Sequence, residues 1–200
     1  MTVLSDQELR TLISQKEIII HPILSSRQIQ CAKIDLRLGN TIYLINYSEH
    51  ACYNPKIQDS VGKYGTEKKI DFNTPFILQP GDFAMAPIFE RIKLPNDILG
   101  RLDGRSSFGR LGIIIHATAG GIDPGFSGKI ICELSNLGKV PVLLYPLTRI
   151  ASLTLERLNK PCQKPYCAKP DSKYQSALAT MLSNDYEYKE ELFTKLTARL

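Results

Sequence analysis

The 200-residue chain has no tryptophan, no long hydrophobic run and no cluster of basic residues. Its apolar stretches, such as the one around residues 113–115, have the length of a strand and fall far short of the ~20 residues that a membrane helix requires. Lysine and arginine outnumber acidic residues by only 25 to 20, and they form no basic stripe of the kind that binds nucleic acid. We therefore expect a soluble protein with neither a membrane span nor a nucleic-acid partner.

Cysteine usage and the first residues indicate a cellular compartment. The five cysteines are odd in number and irregularly spaced, and residues 1–6 lack the basic start and apolar stretch of a signal peptide. We therefore expect reduced thiols and a cytoplasmic protein. Cys162 and Cys167 have four residues between them and no second pair, which does not fit a zinc knuckle. The net charge of +5 is mild and favours a small anionic ligand over a polyanion.

The chain has the composition of a protein with a single core. Apolar residues make up 43% of it, and its length suits one domain. A capping-box pattern that begins at Ser5 predicts an N-terminal helix within residues 1–16. Residues 46–66 are polar and contain proline and glycine, which predicts a loop excursion. Residues 160–200 begin rich in proline and lysine and end with apolar residues at helical spacing, which predicts a mobile arm with a terminal helix.

Short β-rich runs follow one another through the middle of the chain. Proline- and glycine-containing turns separate them, a pattern typical of a β-sandwich, jelly roll or barrel. The predicted strands cover residues 76–78, 83–86, 91–94, 98–102, 112–116, 129–134, 142–145 and 150–155. In the last of these runs polar and apolar residues alternate, which predicts a half-buried strand.

Residues 103–112 are the densest candidate for a binding site. They place Arg105 and Arg110 on either side of Ser106 and Ser107 in a glycine-spaced turn between strands. Guanidinium groups, hydroxyls and backbone amides are the groups that bind phosphate, and glycine allows the backbone to approach a ligand closely. A surface turn with solvated charges explains the same residues equally well. The segment has no Gly-Lys-Ser/Thr ending, which excludes a P-loop.

Glu133 interrupts an otherwise apolar predicted strand. If it is half-buried, burial favours its neutral form and suits it to shuttle protons; alternatively, it lies on the solvent side of the strand. Strand alternation places Ile131 and Glu133 on one face and Cys132 on the other. Nearby, His116 taken alone favours a structural role with a backbone hydrogen-bond partner. Asp123 taken alone fits a turn-forming residue before Pro-Gly.

In this order, the clusters resemble the dCTP deaminases, which share a fold with the trimeric dUTPases. The matching residues are 34–39, 94–97, 104–107, 110–112, 118–119, 122–125, 133–136, 164–166 and 172–175. The resemblance extends from Leu4 to about Tyr174, and its central block is highly specific. It implies a mainly β, dUTPase-like jelly roll or β-clip sandwich with a short N-terminal helix and a mobile C-terminal arm. It also implies a homotrimer with active sites between subunits.

The resemblance further implies an activity and a set of site residues. Members of the family bind dCTP together with Mg²⁺, which is held through the phosphates, and replace the 4-amino group with oxygen. Glu133 would shuttle protons, Ser106 and the backbone at Thr118 and Ala119 would hold the water, and Arg110 would stabilise the site electrostatically. The other implied substrate-binding residues are Arg105 and Ser107 at the phosphates, Tyr166 and Lys173 in the closing C-terminal segment, Asp123 at the deoxyribose, Ile131 and Cys132 at the base, and Phe108 and Gly109 in the same turn.

The sequence lacks the signature of the zinc-dependent nucleobase deaminases. Those enzymes combine a His-x-Glu with a Pro-Cys-x-x-Cys. None of the three histidines is followed by glutamate at that spacing, and Cys162 after Pro161 lacks the second cysteine. We therefore expect no zinc and base chemistry that depends on Glu133.

The product is left open between dUTP and dUMP. Gly109 and the Thr-Ala-Gly run at 118–120 resemble the bifunctional, dUMP-forming members, whereas the monofunctional members tend to have histidine at the position of Gly120. Ser152 and Ala177 stand where the bifunctional members usually carry glutamine, and both glutamines would touch the nucleotide.

Two other functions compete with this interpretation. The first is a dUTPase of the same fold, which would only hydrolyse dUTP. The second is a non-catalytic nucleotide-sensing protein that uses the amphipathic residues 192–200. The presence of Glu133, Ser106 and Arg110 together favours a deaminase over both.

Overall fold

The structure is a computed structural model that describes residues 1–45, 65–118 and 120–168. It is mainly β, as predicted, with two helices, α1 (Asp6–Ser14) and the single turn α2 (Ser106–Gly109), in the described ranges. Short 3₁₀ turns cover Ser26–Gln28 and Tyr166–Ala168. The strands are β1 (Thr2–Val3), β2 (Ile19–His21), β3 (Ile34–Arg37), β4 (Thr41–Ile45), β5 (Gly65–Lys69), β6 (Phe76–Leu78), β7 (Phe83–Pro87), β8 (Arg91–Lys93), β9 (Ile98–Gly104), β10 (Ile113–Ile114), β11 (Gly121–Ile122), β12 (Ser127–Gly128), β13 (Ile131–Asn136), β14 (Val142–Leu144) and β15 (Arg149–Arg157).

The strands form two larger sheets and two small ones. The first sheet has the order β1-β15-β9-β11, and β3 also pairs with β15. The second has the order β10-β13-β7-β4-β5. The small sheets are β12-β8-β2 and β14-β6. The strand pairs are antiparallel. Buried apolar side chains from both larger sheets meet in one main core, and Tyr43 and Met85 of the second sheet form a separate small cluster.

β15 is more deeply buried than the sequence predicts. Its alternation of polar and apolar residues predicts one solvent-facing side, yet Ser152 and Glu156 are both buried. β15 pairs with β9 along one edge and with β1 and β3 along the other, so it is an interior strand. The prediction of a half-buried strand is therefore wrong, because its polar residues are covered as well; Glu156, for example, pairs with the Arg101 side chain of β9.

Several predicted boundaries differ from the structure. The N-terminal helix begins at Asp6, after β1, and its capping box is present, with the Ser5 N–H donating to Glu8 Oε2 at 2.8 Å. Of the predicted excursion at 46–66, the last two residues belong to β5 and the others lie outside the described residues. The predicted arm is described only as far as residue 168, so its mobility and its terminal helix lie outside the described residues.

A buried polar network fixes the end of β3. Glu90 is fully buried and accepts hydrogen bonds from Gln28 Nε2 at 2.8 Å, from the Arg37 backbone N–H at 2.9 Å and from Arg37 Nη1 at 3.0 Å. Arg37 also donates to Gln28 Oε1. Each of these groups would be costly to bury alone, so the three side chains depend on one another.

In the described ranges, no helix has the length and apolar character needed to cross a membrane.

Candidate active site

The turn predicted to bind phosphate lies on the surface at the end of β9. Arg105 has an extended backbone (φ −75°, ψ 137°), and the chain then makes the single helical turn α2. Ser106, Ser107 and Arg110 are exposed, whereas Phe108 packs against the core. The partly buried ring anchors the turn, and the hydroxyl and guanidinium groups remain available to a ligand.

β10 carries the chain from this turn to the second sheet. Ile114 pairs with Ser135 of β13, so the segment after Arg110 lies along the edge of the strand that contains Glu133. Gly112, at φ +83°, makes the connection possible, because a Cβ at this position would lie 2.5 Å from the backbone nitrogen of Gly138. A side chain at position 112 would therefore separate the turn from β13.

Glu133 is half-buried and bonded to the segment that follows β10. Its Oε2 accepts the backbone N–H of Ala117 at 2.8 Å, and its own backbone N–H donates to the Ile115 carbonyl at 2.9 Å. The structure thus brings the predicted proton shuttle next to Thr118, which is exposed. Ala119 lies outside the described residues.

The two faces of β13 divide as the sequence predicts. Ile131 and Glu133 are partly exposed, whereas Cys132 is fully buried in the core. Burial raises the pKa of the Cys132 thiol to about 12, with smaller contributions from the charges of Glu133 and Glu90. The thiol is thus protonated and faces away from Glu133, so only the backbone of Cys132 is placed to line a base pocket.

Asp123 and Tyr166 are brought together by the docking of the C-terminal segment. Asp123 is exposed on the turn between β11 and β12. The Tyr166 backbone N–H donates to the Pro124 carbonyl at 2.8 Å, and its ring lies 5.9 Å from the Phe126 ring, centroid to centroid. The described part of the predicted arm therefore lies beside the predicted sugar contact. Lys173 lies outside the described residues.

A buried carboxylate holds Arg105 together with a second arginine that the sequence does not single out. The Asp35 side chain is 5% exposed; its Oδ1 lies 3.4 Å from Arg105 Nε and its Oδ2 lies 3.0 Å from Arg149 Nη1. Arg105 Nη1 also donates to the Arg149 carbonyl at 3.4 Å. The motif at 34–39 contains Asp35, but no sequence signal indicates Arg149, because the contact depends on the pairing of β15 with β3.

The region around Gly120 leaves no space for a side chain. A Cβ at position 120 would lie 2.9 Å from the Leu102 carbonyl oxygen and 3.3 Å from the His116 ring. His116 Nδ1 is buried, and among the described residues it has no hydrogen-bond partner. The expectation that a backbone group satisfies His116 is therefore not met at Nδ1.

An open groove of about 760 Å³ lies beside the end of the α2 turn. Residues 109–112 line one side and residues 138–143 the other. Leu111, Val140 and Leu143 expose about half or more of their surface in it. Because its walls are largely apolar, the groove is better suited to contact with another protein surface than to a triphosphate.

In the described ranges, no three His, Cys, Asp or Glu side chains are grouped so that they could hold a metal ion.

Comparison with known proteins identifies the family. A family model described as dCTP deaminase-like matches residues 3–158. The "dCTP deaminase, dUMP-forming" of Dictyoglomus thermophilum is 42% identical over 193 residues, which cover 94% of this chain and 99% of that protein. The protein of the same name from Methanosphaera stadtmanae is 40% identical, with 92% and 93% covered. The "dCTP deaminase" of Haloarcula marismortui is also 40% identical, with 93% and 97% covered.

A solved structure supports the fold. The crystal structure of 2'-deoxycytidine 5'-triphosphate deaminase from Agrobacterium tumefaciens superposes with a TM-score of 0.63 at 23% identity. The match covers 78% of this chain and 48% of that one, so this chain spans about half the length of its structural relative. The family match covers α2, β13 and the Asp123 turn in a single stretch, and relatives align over nearly their whole lengths. The chain therefore belongs to the dCTP deaminase family.

Proposed function

We propose that this protein deaminates dCTP to dUTP and ammonia and then hydrolyses dUTP to dUMP and pyrophosphate, in the cytoplasm. The observation that carries the proposal is the position of Glu133, half-buried beside the segment 115–118 that follows the Ser106–Arg110 turn. The names of the relatives from Dictyoglomus and Methanosphaera support the dUMP-forming activity.

Glu133 acts as the proton shuttle of the deamination. The oxygen of a water adds to C4 of the cytosine ring, and the carboxylate takes a proton from this water and passes it to N3. The carboxylate then takes the remaining proton from the C4 hydroxyl and passes it to the 4-amino group, the C4–N4 bond breaks, and ammonia leaves as the C4 carbonyl forms. The hydrogen bond from Ala117 fixes one carboxylate oxygen of Glu133 and thereby orients the other. Ser106 holds the water, and Arg110 stabilises the charge that develops.

The phosphates bind at the α2 turn. Arg105 and Ser107 contact them, Asp123 bonds the deoxyribose hydroxyl, and Tyr166 and Lys173 close from the C-terminal side. In the second step a water attacks the α-phosphorus and pyrophosphate leaves. The close packing around Gly120 supports this assignment, because histidine, which the monofunctional members tend to have there, could not fit without displacing the Leu102 backbone.

Mg²⁺ accompanies the triphosphate in this proposal. Magnesium usually keeps several waters and binds through one or two carboxylates together with substrate phosphates. The described part of the chain has no group of three acidic, histidine or cysteine ligands, which fits an ion that arrives with the nucleotide. When bound it would offset phosphate charge, while Arg105 and Ser107 hold the phosphates themselves.

The reaction needs no zinc in this proposal, because the sequence lacks the zinc-deaminase signature. Elemental analysis of the active protein tests this. We expect no stoichiometric zinc, and full activity after treatment with a zinc chelator followed by Mg²⁺. Zinc at one ion per chain, with activity lost on its removal, would contradict the proposal.

We also propose a homotrimer with the active sites between subunits. The support is the apolar groove beside Arg110, where the exposed side chains of Leu111, Val140 and Leu143 need cover. Light scattering should give about 67 kDa, which is three chains of 22.4 kDa. A monomer that is fully active would contradict this arrangement.

One assay tests the activity. The protein is incubated with Mg²⁺ and either dCTP or dUTP, and ammonia, pyrophosphate and dUMP are followed. Glu133→Gln should lower ammonia release by about 10²-fold or more. Glu67→Gln, on β5 of the same sheet, is the control, because Glu67 is exposed and pairs with Lys69. Hydrolysis of dUTP without ammonia from dCTP would identify a dUTPase, and binding without turnover would identify a nucleotide sensor.

A further inference from the structure

We propose that Arg149 is a second phosphate-binding arginine beside Arg105, and that the buried carboxylate of Asp35 positions both guanidinium groups. The identity of the ligand, a deoxynucleoside triphosphate, rests on the proposed function. The placement of the two arginines does not, because it follows from contacts within the chain.

The three side chains form one cluster next to the α2 turn. Asp35 uses one carboxylate oxygen for each arginine, at 3.4 Å for Arg105 Nε and 3.0 Å for Arg149 Nη1. The two guanidinium groups are therefore close neighbours. Asp35 is 5% exposed, whereas the side chains of Arg105 and Arg149 are 31% and 39% exposed. The carboxylate is covered and the cations face solvent.

The cluster of Asp35, Arg105 and Arg149 carries a net positive charge that can attract an anionic ligand. A single arginine would neutralise the Asp35 carboxylate, so the second leaves one net positive charge at a partly exposed position. A guanidinium carries several N–H donors in a planar fork, and each arginine commits only part of that fork to Asp35. The remaining donors are suited to phosphate oxygens, which arginine binds in a bidentate manner. Ser106 and Ser107 follow Arg105 directly, so the excess charge lies at the predicted phosphate site.

The backbone of β15 shows how Arg149 comes to this place. The pairing of β15 with β3 shifts register between Arg149 and Ala151, as in a β-bulge. Bulges redirect side chains and occur frequently next to active sites. Beyond the bulge, Ser152 lies opposite Asp35 on β3 and Asp103 on β9. The irregularity thus occurs where the strand that carries Arg149 meets the strand that carries Asp35 and the end of β9, which directly precedes Arg105.

Ion pairing for stability alone predicts a different outcome from phosphate binding. Arg157 provides the comparison, because it lies at the other end of β15, has the same 39% exposure and pairs with Asp97. Arg157→Met removes an arginine of equal exposure from the same strand, away from α2. Arg149→Met and Arg157→Met should therefore have similar effects on thermal stability and different effects on phosphate binding.

The experiment measures binding of Mg²⁺-tripolyphosphate and of dCTP to the full chain by calorimetry, together with the steady-state kinetics of dCTP deamination. We expect Arg149→Met to weaken tripolyphosphate binding and to raise KM for dCTP by about tenfold, which corresponds to ~1.4 kcal/mol. The value of kcat at saturating dCTP should stay unchanged, and Arg149→Lys should restore part of the affinity. Asp35→Asn should reproduce the loss of affinity, since it releases both arginines.

The outcomes distinguish the phosphate-binding role of Arg149 from the proposed deaminase activity. Tripolyphosphate binding by Arg149→Met equal to that of the wild type and of Arg157→Met would overturn the inference, whatever the activity. Equal weakening by both substitutions would also overturn it, since that would indicate a general electrostatic effect. If wild type binds tripolyphosphate, Arg149→Met loses it and dCTP yields no ammonia, the phosphate site stands and the proposed deaminase activity fails. Arg149→Met decides the question even if Asp35→Asn fails to fold.

Discussion

Replacing Gly125 with alanine should detach the C-terminal segment from the turn that carries Asp123. Gly125 has φ +82°, a left-handed conformation that costs an L-residue roughly 1–2 kcal/mol. A Cβ at this position would also lie 2.7 Å from Pro165 Cβ and 3.1 Å from the backbone nitrogen of Tyr166. The second cost comes from this contact, because the Pro165–Tyr166 backbone must move away and the bond from Tyr166 N–H to the Pro124 carbonyl must lengthen.

Gly81 provides a matched control. It has nearly the same backbone conformation, φ +85°, but a Cβ there would meet nothing within 4 Å. Gly81→Ala therefore measures the conformational cost alone, and the difference between the two variants measures the contact. The lost hydrogen bond and the disturbed packing of Tyr166 on Phe126 should cost about 1–2 kcal/mol beyond the conformational term. At this chain length that difference lowers Tm by an additional ~2–8 °C.

Thermal unfolding followed by far-ultraviolet circular dichroism at one protein concentration measures the difference. The kinetics of dCTP turnover give a second readout, because Gly125→Ala should raise KM while Gly81→Ala leaves it unchanged. If Tm decreases by the same amount in both variants and KM stays the same in both, the segment 165–168 is not docked on the Asp123 turn, and the reasoning is refuted.

Two further substitutions test the buried polar groups. Glu90→Gln leaves the nearly buried Arg37 guanidinium without its counter-charge and should lower the free energy of unfolding in urea by about 3–5 kcal/mol. Glu67→Gln, at an exposed ion pair, should lower it by less than ~1 kcal/mol. Equal losses in the two variants would contradict the buried network. Burial raises the pKa of the Cys132 thiol to about 12, so the folded state keeps a proton that the unfolded state loses above about pH 8.5. The free energy of unfolding should therefore fall as the pH rises from about 8.5 toward 12, by at most ~1.4 kcal/mol per pH unit. Cys132→Ala should make this decline shallower, and an unchanged slope between pH 9 and pH 11 would contradict the assignment.

The strands that the sequence predicts well are those whose apolar residues come in runs. β6, β7, β13 and β14 lie within one or two residues of the predicted bounds. β3, with the sequence Ile-Asp-Leu-Arg, has no such run, and all four of its residues are buried. Asp35 and Arg37 are tolerated there because Arg149 and Glu90 satisfy their charges. Pattern analysis scores a charged residue as exposed, and it cannot include partners that lie far away in the chain.

The candidate site divides in the same way between local and distant information. The alternation of Ile131 and Cys132 follows from strand geometry and could be predicted from a few neighbouring residues, whereas the same local pattern left the half-buried position of Glu133 undecided. The contact between Asp35 and Arg149 joins residues 114 positions apart and exists only because β3 pairs with β15. No local pattern contains that information.

The arrangement of the sheets separates the proposed phosphate site from the proposed proton shuttle. Arg105 is tied to the first sheet, since its backbone N–H donates to the Ile150 carbonyl of β15. Ile114, nine residues later, pairs with Ser135 on β13 of the second sheet, next to Glu133. The segment 105–114 is therefore a bridge between the two sheets, and Ser106 and Arg110 lie within it. Changes at Asp35 or Arg149 act on the first end of the bridge and should alter KM, whereas changes at Glu133 act at the second end and should alter kcat. Because both sheets contribute to one main core, the distance between the proposed phosphate site and the proposed proton shuttle is set by the packing of the sheets rather than by the exposed turn.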